Sequence, residues 1–251
     1  MRSVKTVDRV VDILEAFSVD APQLAVGEIA KRVDTDKSTV SRVLATLRAR
    51  GYVHQNPKTK EYTLGLKVFE LASAVLRRLD VRTAALPIMS NLAKQLGESV
   101  LLAVLDGHEA VCVEKIDSDH AVRCTSYVGK RTPIYAGAVT KVLMAFLSEQ
   151  EIDEIISAGL TAFTPNTITN PVALKRQLAT IREAGYCITS EEMDPGSVAV
   201  GVPVRDYTGR VIAALSVVAP LFRVSRQQAE KIVPLVKEAG AEISRILGWS
   251  Q

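Results

Sequence analysis

Residues 25–51 read AVGEIAKRVDTDKSTVSRVLATLRARG, and this stretch decides the architecture of the chain. Ile29 and Val33 mark one face of a short helix, with Glu28, Lys31 and Arg32 on the other. After the turn at Asp34-Thr35, Val40, Val43, Leu44 and Leu47 recur at helical spacing and predict a second helix packed on the first. Thr35 is the expected N-cap, with Asp36 in the first turn near the positive end of the helix dipole. Lys37, Ser38, Ser41, Arg42 and Ala45 then face outward, short side chains beside cations that suit phosphates and guanine edges. This is the layout of a helix-turn-helix whose second helix enters the DNA major groove.

Working outward, an amphipathic helix is predicted over 4–17, with Val4, Val7, Val11 and Leu14 as its buried stripe, widened by Val10 and Phe17. Beyond Gly51, Tyr52-Val53-His54-Gln55 and Glu61-Tyr62-Thr63-Leu64 read as paired strands around a polar turn carrying Lys58 and Lys60. This hairpin is a wing laid where a DNA backbone would run. The expected DNA-contacting set is Lys37, Ser38, Thr39, Ser41, Arg42, Arg48, Lys58 and Lys60. A helix over 66–79 closes the module and serves as connector and dimer contact.

The charge distribution agrees with nucleic acid at one end only. Net charge is +3, but residues 1–78 carry 14 Lys+Arg against 9 Asp+Glu, and residues 79–251 carry 17 against 19. A hydrophobic content of 47% with 24% charged residues argues against disorder. There is neither a run of about 18 apolar residues nor a signal-peptide core near the start, so a cytoplasmic protein with no membrane partner is expected. Cys112, Cys124 and Cys187 are odd in number and widely spaced, and read as small buried hydrophobes rather than a disulfide framework.

From Val81 onward the pattern becomes mixed. Helices are predicted over 83–96, 138–147, 149–157, 171–184 and 225–247, and strands over 99–105, 110–116, 122–128, 186–190, 198–205 and 211–219. Residues 129–133 read as a loop. Antiparallel hairpins with helices packed on them indicate an α+β sensor-like domain. No metal-ligand spacing, nucleophile elbow or Gly-rich phosphate loop occurs, so neither metal, cofactor nor enzymatic activity is expected. A redox switch at Cys112 or Cys124 lacks the neighbouring His or paired Cys that would lower a thiol pKa.

Taken together, the chain resembles the IclR (isocitrate lyase regulator) family of bacterial transcription regulators. The match is carried by EIAKRVDTDKSTVSRVLATLRARGYV, by Gly129 to Ala136 with Lys141 and Leu143, and by Gly185-Tyr186, Glu191, Gly196, Val200–Val204, Gly209 and Ala213–Pro220. The resemblance implies a winged helix-turn-helix domain (1–65), a connector helix (66–80) and a GAF-like effector-binding and oligomerisation domain (81–251). It further implies a homodimer, often a dimer of dimers, that binds operator DNA under control of a small organic acid or related metabolite. Carried over to this sequence, the effector positions are Ala138, Val139, Thr140, Thr189, Ser190, Ala199, Ser216 and Val218. Thr140, Thr189 and Ser216 are the expected hydroxyl donors, with Arg123 a further cation and the start of the helix at Ala138 offering free N–H groups. Tyr135 stands where the family has a usual histidine, Thr140 where it has a glycine, Ala199 where a cysteine is frequent and Val218 where some members have serine. These departures point to a larger or partly apolar acid. The alternative is a constitutive DNA-binding protein whose C-terminal domain only oligomerises.

Overall fold

The computed structural model describes residues 4–18, 20–76 and 80–249, with only the backbone of 73–76 and 80. The chain divides into two units, Met1–Arg78 and Leu79–Gln251.

In the first unit, α1 (Lys5–Glu15), α2 (Val26–Arg32) and α3 (Lys37–Ala49) precede an antiparallel hairpin of β1 (Val53–Gln55) and β2 (Tyr62–Leu64). Leu24 bridges to Tyr62 and adds a third chain to the hairpin. The core joins Ile13 and Phe17 of the α1 region to Ile29, Val40, Leu44, Leu47, Val53 and Tyr62. This corrects the expected stripe of α1: Val4, Val7 and Val11 are solvent-exposed, and Ile13, Phe17 and the half-buried Val10 and Leu14 face inward. The helix is apolar on two sides, and the side that meets α3 lies around Ile13. The last helix, α4 (Leu66–Leu76), exposes Leu66, Phe69 and Leu71. The remainder of the connector expected over 66–79 lies outside the described residues.

The cap of α3 is also corrected. Asp36, in extended backbone at ψ 146°, accepts from the Thr39 N–H at 2.8 Å and from the Ser38 hydroxyl at 2.5 Å. Thr35 instead donates its hydroxyl to the Val33 carbonyl at 3.2 Å and caps nothing.

In the second unit, α5 (Asp80–Leu96) leads into β3 (Ser99–Asp106), β4 (Glu109–Ile116) and β5 (Arg131–Pro133). Then come α6 (Ala138–Ala145), α7 (Glu149–Ser157), α8 (Pro171–Ala184), β6 (Cys187–Ser190), β7 (Ser197–Arg205), β8 (Val211–Pro220) and α9 (Arg226–Ile246). Among the described residues the strands form one antiparallel sheet in the order β5-β4-β3-β8-β7-β6. Alternation along β7 and β8 splits the core in two. Val198, Val200, Val202, Leu215 and Val217 face α5 and α9, whereas Cys187 and Ala214 face α6 and α8.

One expected strand is absent. Residues 122–128 alternate as a strand would, but Val122 and Val128 are exposed and the segment is held by side chains. Lys115 donates to the Cys124 carbonyl at 3.0 Å and Arg223 to the Val122 carbonyl at 3.1 Å. The edge strand is β5, from residues expected to be a loop, paired through Glu109↔Pro133 and Val111↔Arg131. The expected helix over 83–96 begins earlier, at Asp80, and the other element ends shift by a residue or two. Among the described residues, no helix is long and apolar enough to cross a membrane.

Candidate functional site

In the first unit, α3 buries Val40, Leu44 and Leu47 and leaves Lys37, Ser38, Ser41, Arg42, Ala45 and Arg48 exposed, with Thr39 half-buried. The Arg42 guanidinium donates to the Thr39 hydroxyl at 3.3 Å. Ser38 gives its proton to the bond with Asp36, so it presents only acceptor lone pairs outward. That bond and the Thr39 N–H hold the Asp36 carboxyl well below the usual carboxylate range. Arg48 reaches the Gln55 side chain at 2.8 Å, and Gln55 in turn donates to the Lys60 carbonyl at 3.1 Å, which ties α3 to the wing. At the wing tip, Asn56 accepts from the Lys58 N–H at 2.9 Å, and Lys60 adopts φ +63°. Both lysines are exposed. Arg9 and Arg50, which sequence reasoning did not single out, join Arg42 around a groove of about 730 Å³ beside α3. Their separation in sequence hid this cluster.

In the second unit, Gly137 precedes α6 at φ 95° and ψ 161°, with no side chain capping the helix. The N–H groups of Ala138, Val139 and Thr140 therefore lack intrahelical acceptors. Gly201 of β7 lets this end sit on the sheet: a Cβ there would lie 2.8 Å from both the carbonyl carbon and oxygen of Ala138.

The register aligns Thr189, Ala199 and Val218 in one row across β6, β7 and β8, continued by Ser99 of β3. Ser216, opposite Gly201, lies in the next row on the same face. Ser190 pairs with Val198, so alternation puts it on the opposite face, and its buried hydroxyl has no partner among the described residues. Thr140 does not serve as the free donor expected of it. Its hydroxyl is 2.5 Å from the Ala136 carbonyl and 2.8 Å from that of Gly137. Ser216 makes only a long contact, 3.5 Å, to the Val217 carbonyl. Arg123 is exposed and paired with Asp117 at 3.3 Å.

Lys141, which the sequence singled out without a partner, is fully buried on α6. Its ammonium bonds the Gln177 side chain at 2.7 Å and the Glu192 carboxylate. The backbone carbonyls of Glu191 and Glu192 accept from Thr164 and Thr167. These bonds fasten α6 to α8 and to the turn between β6 and β7.

Burial pushes the Cys112 thiol up to about 11 and that of Cys187 up to about 12, and raises Cys124 as well. None is poised as a thiolate. Among the described residues no group of acidic, His and Cys side chains is arranged to hold a metal.

Residues 6–57 match the IclR helix-turn-helix domain, and residues 73–245 match the bacterial transcriptional regulator IclR C-terminal domain. The chain is 36% identical to the HTH-type transcriptional regulator XynR of Escherichia coli K12 over 250 residues, covering 99% of each. It is 35% identical to the HTH-type transcriptional regulator KdgR of the same organism, covering 98% of this chain and 94% of KdgR. Among solved structures, an IclR homologue complexed with 4-hydroxybenzoate from Microbacterium hydrocarbonoxydans aligns with TM-score 0.88 and 31% identity, covering 96% of this chain and 98% of the other. The Thermotoga maritima IclR aligns with TM-score 0.81 and 32% identity, covering 98% and 99%.

Proposed function

Because the chain belongs to the IclR family of bacterial transcriptional regulators, we propose that α3 and the wing bind double-stranded operator DNA and that a small organic acid, held beside α6, modulates that binding. Its relatives are named as regulators and not as enzymes.

On the DNA face, Ser41, Arg42 and the accepting Ser38 reach base edges, with Ala45 permitting close approach. Lys37, Thr39, Arg48, Lys58 and Lys60 meet phosphate, joined by Arg9 and Arg50. The observation that carries this reading is the exposed polar and cationic face of α3, opposite Val40, Leu44 and Leu47 and bonded to the wing through Arg48. The exposed Val4, Val7 and Val11 of α1 support a homodimer, and a dimer of dimers extends it. Residues 66–80 act as the connector between a DNA-binding domain over 1–65 and an effector domain over 81–251. The protein acts in the cytoplasm, where its operator lies.

The effector's carboxylate accepts from the uncapped N–H groups of Ala138, Val139 and Thr140, where the helix dipole favours an anion. Thr189, Ala199, Ser216 and Val218 line its body, and Ser190 supports the row from behind. Three of these contacts, Val139, Ala199 and Val218, are apolar, which favours a partly apolar acid of the size class of the 4-hydroxybenzoate bound by the structural relative. Thermal-shift titration with 4-hydroxybenzoate, phenylacetate and 2-oxoglutarate tests the site. An acid at 100 times its dissociation constant stabilises by about 2.7 kcal/mol. If none of the three stabilises the protein while it still binds DNA, the constitutive alternative replaces this reading.

A further inference from the structure

We propose that the second unit carries another anion site, at the opposite end of α6, which takes a small organic polyanion bearing at least two carboxylate or phosphate groups. The site is a groove of about 830 Å³ walled by Arg182, Arg205, Lys237 and Arg245, with Trp249 at its edge and Glu183 as the one carboxylate in its lining. That volume lies within the range of roughly 300–1,000 Å³ usual for small-molecule sites.

The cations are not a by-product of composition, because residues 79–251 carry 17 basic against 19 acidic side chains. Arg182 and Arg245 have carboxylate partners, Glu149 at 3.4 Å and Glu238 at 2.8 Å. Among the described residues Arg205 and Lys237 have none. Arg205 donates to the Gly209 carbonyl at 2.7 Å and Lys237 to the Ala184 carbonyl at 3.1 Å, acceptors that leave both positive charges uncompensated.

Arg205 is also held in place. Its guanidinium lies 4.7 Å from the centre of the Phe146 ring and 5.7 Å from that of Trp249. Two ring contacts cover the guanidinium faces and leave the N–H edge for an acceptor, the geometry that recognises carboxylate and phosphate. Lys237 and Arg245 are eight residues apart on α9, about 12 Å along the helix at 1.5 Å per residue. One monocarboxylate cannot meet both ends of that wall, whereas a polyanion can. Excess positive charge repels metal ions and polyamines. Val202, Pro203 and Ala241 supply an apolar floor for the ligand's carbon body.

Phe146 is the C-cap residue of α6, and Arg182 donates to the Ala145 carbonyl at 2.7 Å. The groove is thereby fastened to one end of the eight-residue helix whose other end is the proposed effector contact, yet its binding does not depend on that assignment.

Trp249 is the only tryptophan of the chain, so intrinsic fluorescence reports on this groove. Citrate and benzene-1,3,5-tricarboxylate, titrated into the full-length protein, are expected to change the emission saturably, while acetate and spermidine do not. The double variant Lys237→Gln, Arg245→Gln should raise the dissociation constant for citrate about tenfold or more, since hydrogen bonds to charged groups contribute roughly 1.5–3 kcal/mol each. Its melting temperature should stay unchanged, because both side chains are exposed. Absence of a saturable change overturns the proposal, as does unaltered citrate affinity in the double variant. If that variant changes sedimentation and the wild type binds no citrate, the groove receives a second copy of the chain and the proposal also fails.

Discussion

Lys141 and Glu192, 51 residues apart in sequence, form an ion pair sealed from solvent between α6, α8 and the turn after β6. Gln177 shares the ammonium at 2.7 Å. Removing one partner leaves a buried, uncompensated charge. Lys141→Met is therefore expected to destabilise the C-terminal unit by about 3–5 kcal/mol, read from its chemical-denaturation transition. Lys141→Met combined with Glu192→Leu should recover much of that loss, since replacing both charges by apolar groups is often neutral. A double variant no more stable than the single would show that the pair does not carry this effect.

The cap of α3 offers a comparison between neighbours. Asp36→Ala should lower the melting temperature of the DNA-binding unit and Thr35→Ala should change it far less, because only Asp36 accepts from the helix N–H groups. The Ser38 hydroxyl and the Thr39 N–H depress the folded-state pKa of Asp36. Its contribution is thus fully present above the ordinary aspartate range and is lost as pH falls below it toward the folded value. The melting difference between wild type and Asp36→Ala should accordingly persist from neutral pH down to about pH 4 and narrow in stronger acid. A gap that closes between about pH 7 and 5 would point to another group.

Gly201→Ala tests the seating of α6. The added methyl would lie 2.8 Å from the Ala138 carbonyl, backbone that can move only by shifting the helix start. A loss of about 1–3 kcal/mol from overpacking is expected. The thermal shift produced by an effector acid should fall more steeply, because the N–H groups that hold it move. An unchanged acid response in a destabilised variant would remove the α6 start from the effector site.

Lysines at the wing tip should act without sequence preference. Replacing Lys58 and Lys60 by Ala is expected to weaken operator and random DNA alike, and to reduce the slope of log affinity against log salt by about 1 for each phosphate no longer neutralised. Fluorescence anisotropy across a potassium chloride series measures it. An unaltered slope would place the wing away from the backbone.

The sequence made the helix-turn-helix legible because α3 carries its apolar residues on one side, and Val40, Leu44 and Leu47 are buried as their spacing requires. It could not choose between Thr35 and Asp36, adjacent residues that both cap helices well; backbone geometry decides, and Asp36 holds the extended conformation before the first turn. Nor could periodicity tell which apolar side of α1 meets the core, since Val4, Val7 and Val11 are spaced as regularly as the buried residues. The 122–128 segment alternates as a strand does, but strand formation needs a neighbour in register, and β4 is paired instead to Arg131–Pro133. At the candidate effector site the row of Thr189, Ala199 and Val218 follows from strand alternation once the sheet order is known. The consumption of the Thr140 hydroxyl by its own helix turn, and the partner of Lys141, arise from tertiary geometry that one-dimensional spacing does not contain.

The most direct test of the central claim is the affinity of the full-length protein for a DNA fragment from upstream of its own gene. It is measured by anisotropy for wild type and Arg42→Ala, with and without whichever of 4-hydroxybenzoate, phenylacetate and 2-oxoglutarate raises the melting temperature. The account predicts a loss for Arg42→Ala of about 1–3 kcal/mol if the guanidinium reads a base. It also predicts a several-fold change on adding acid to the wild type. Equal affinities for wild type and Arg42→Ala, together with no response to an acid that demonstrably binds, would contradict it.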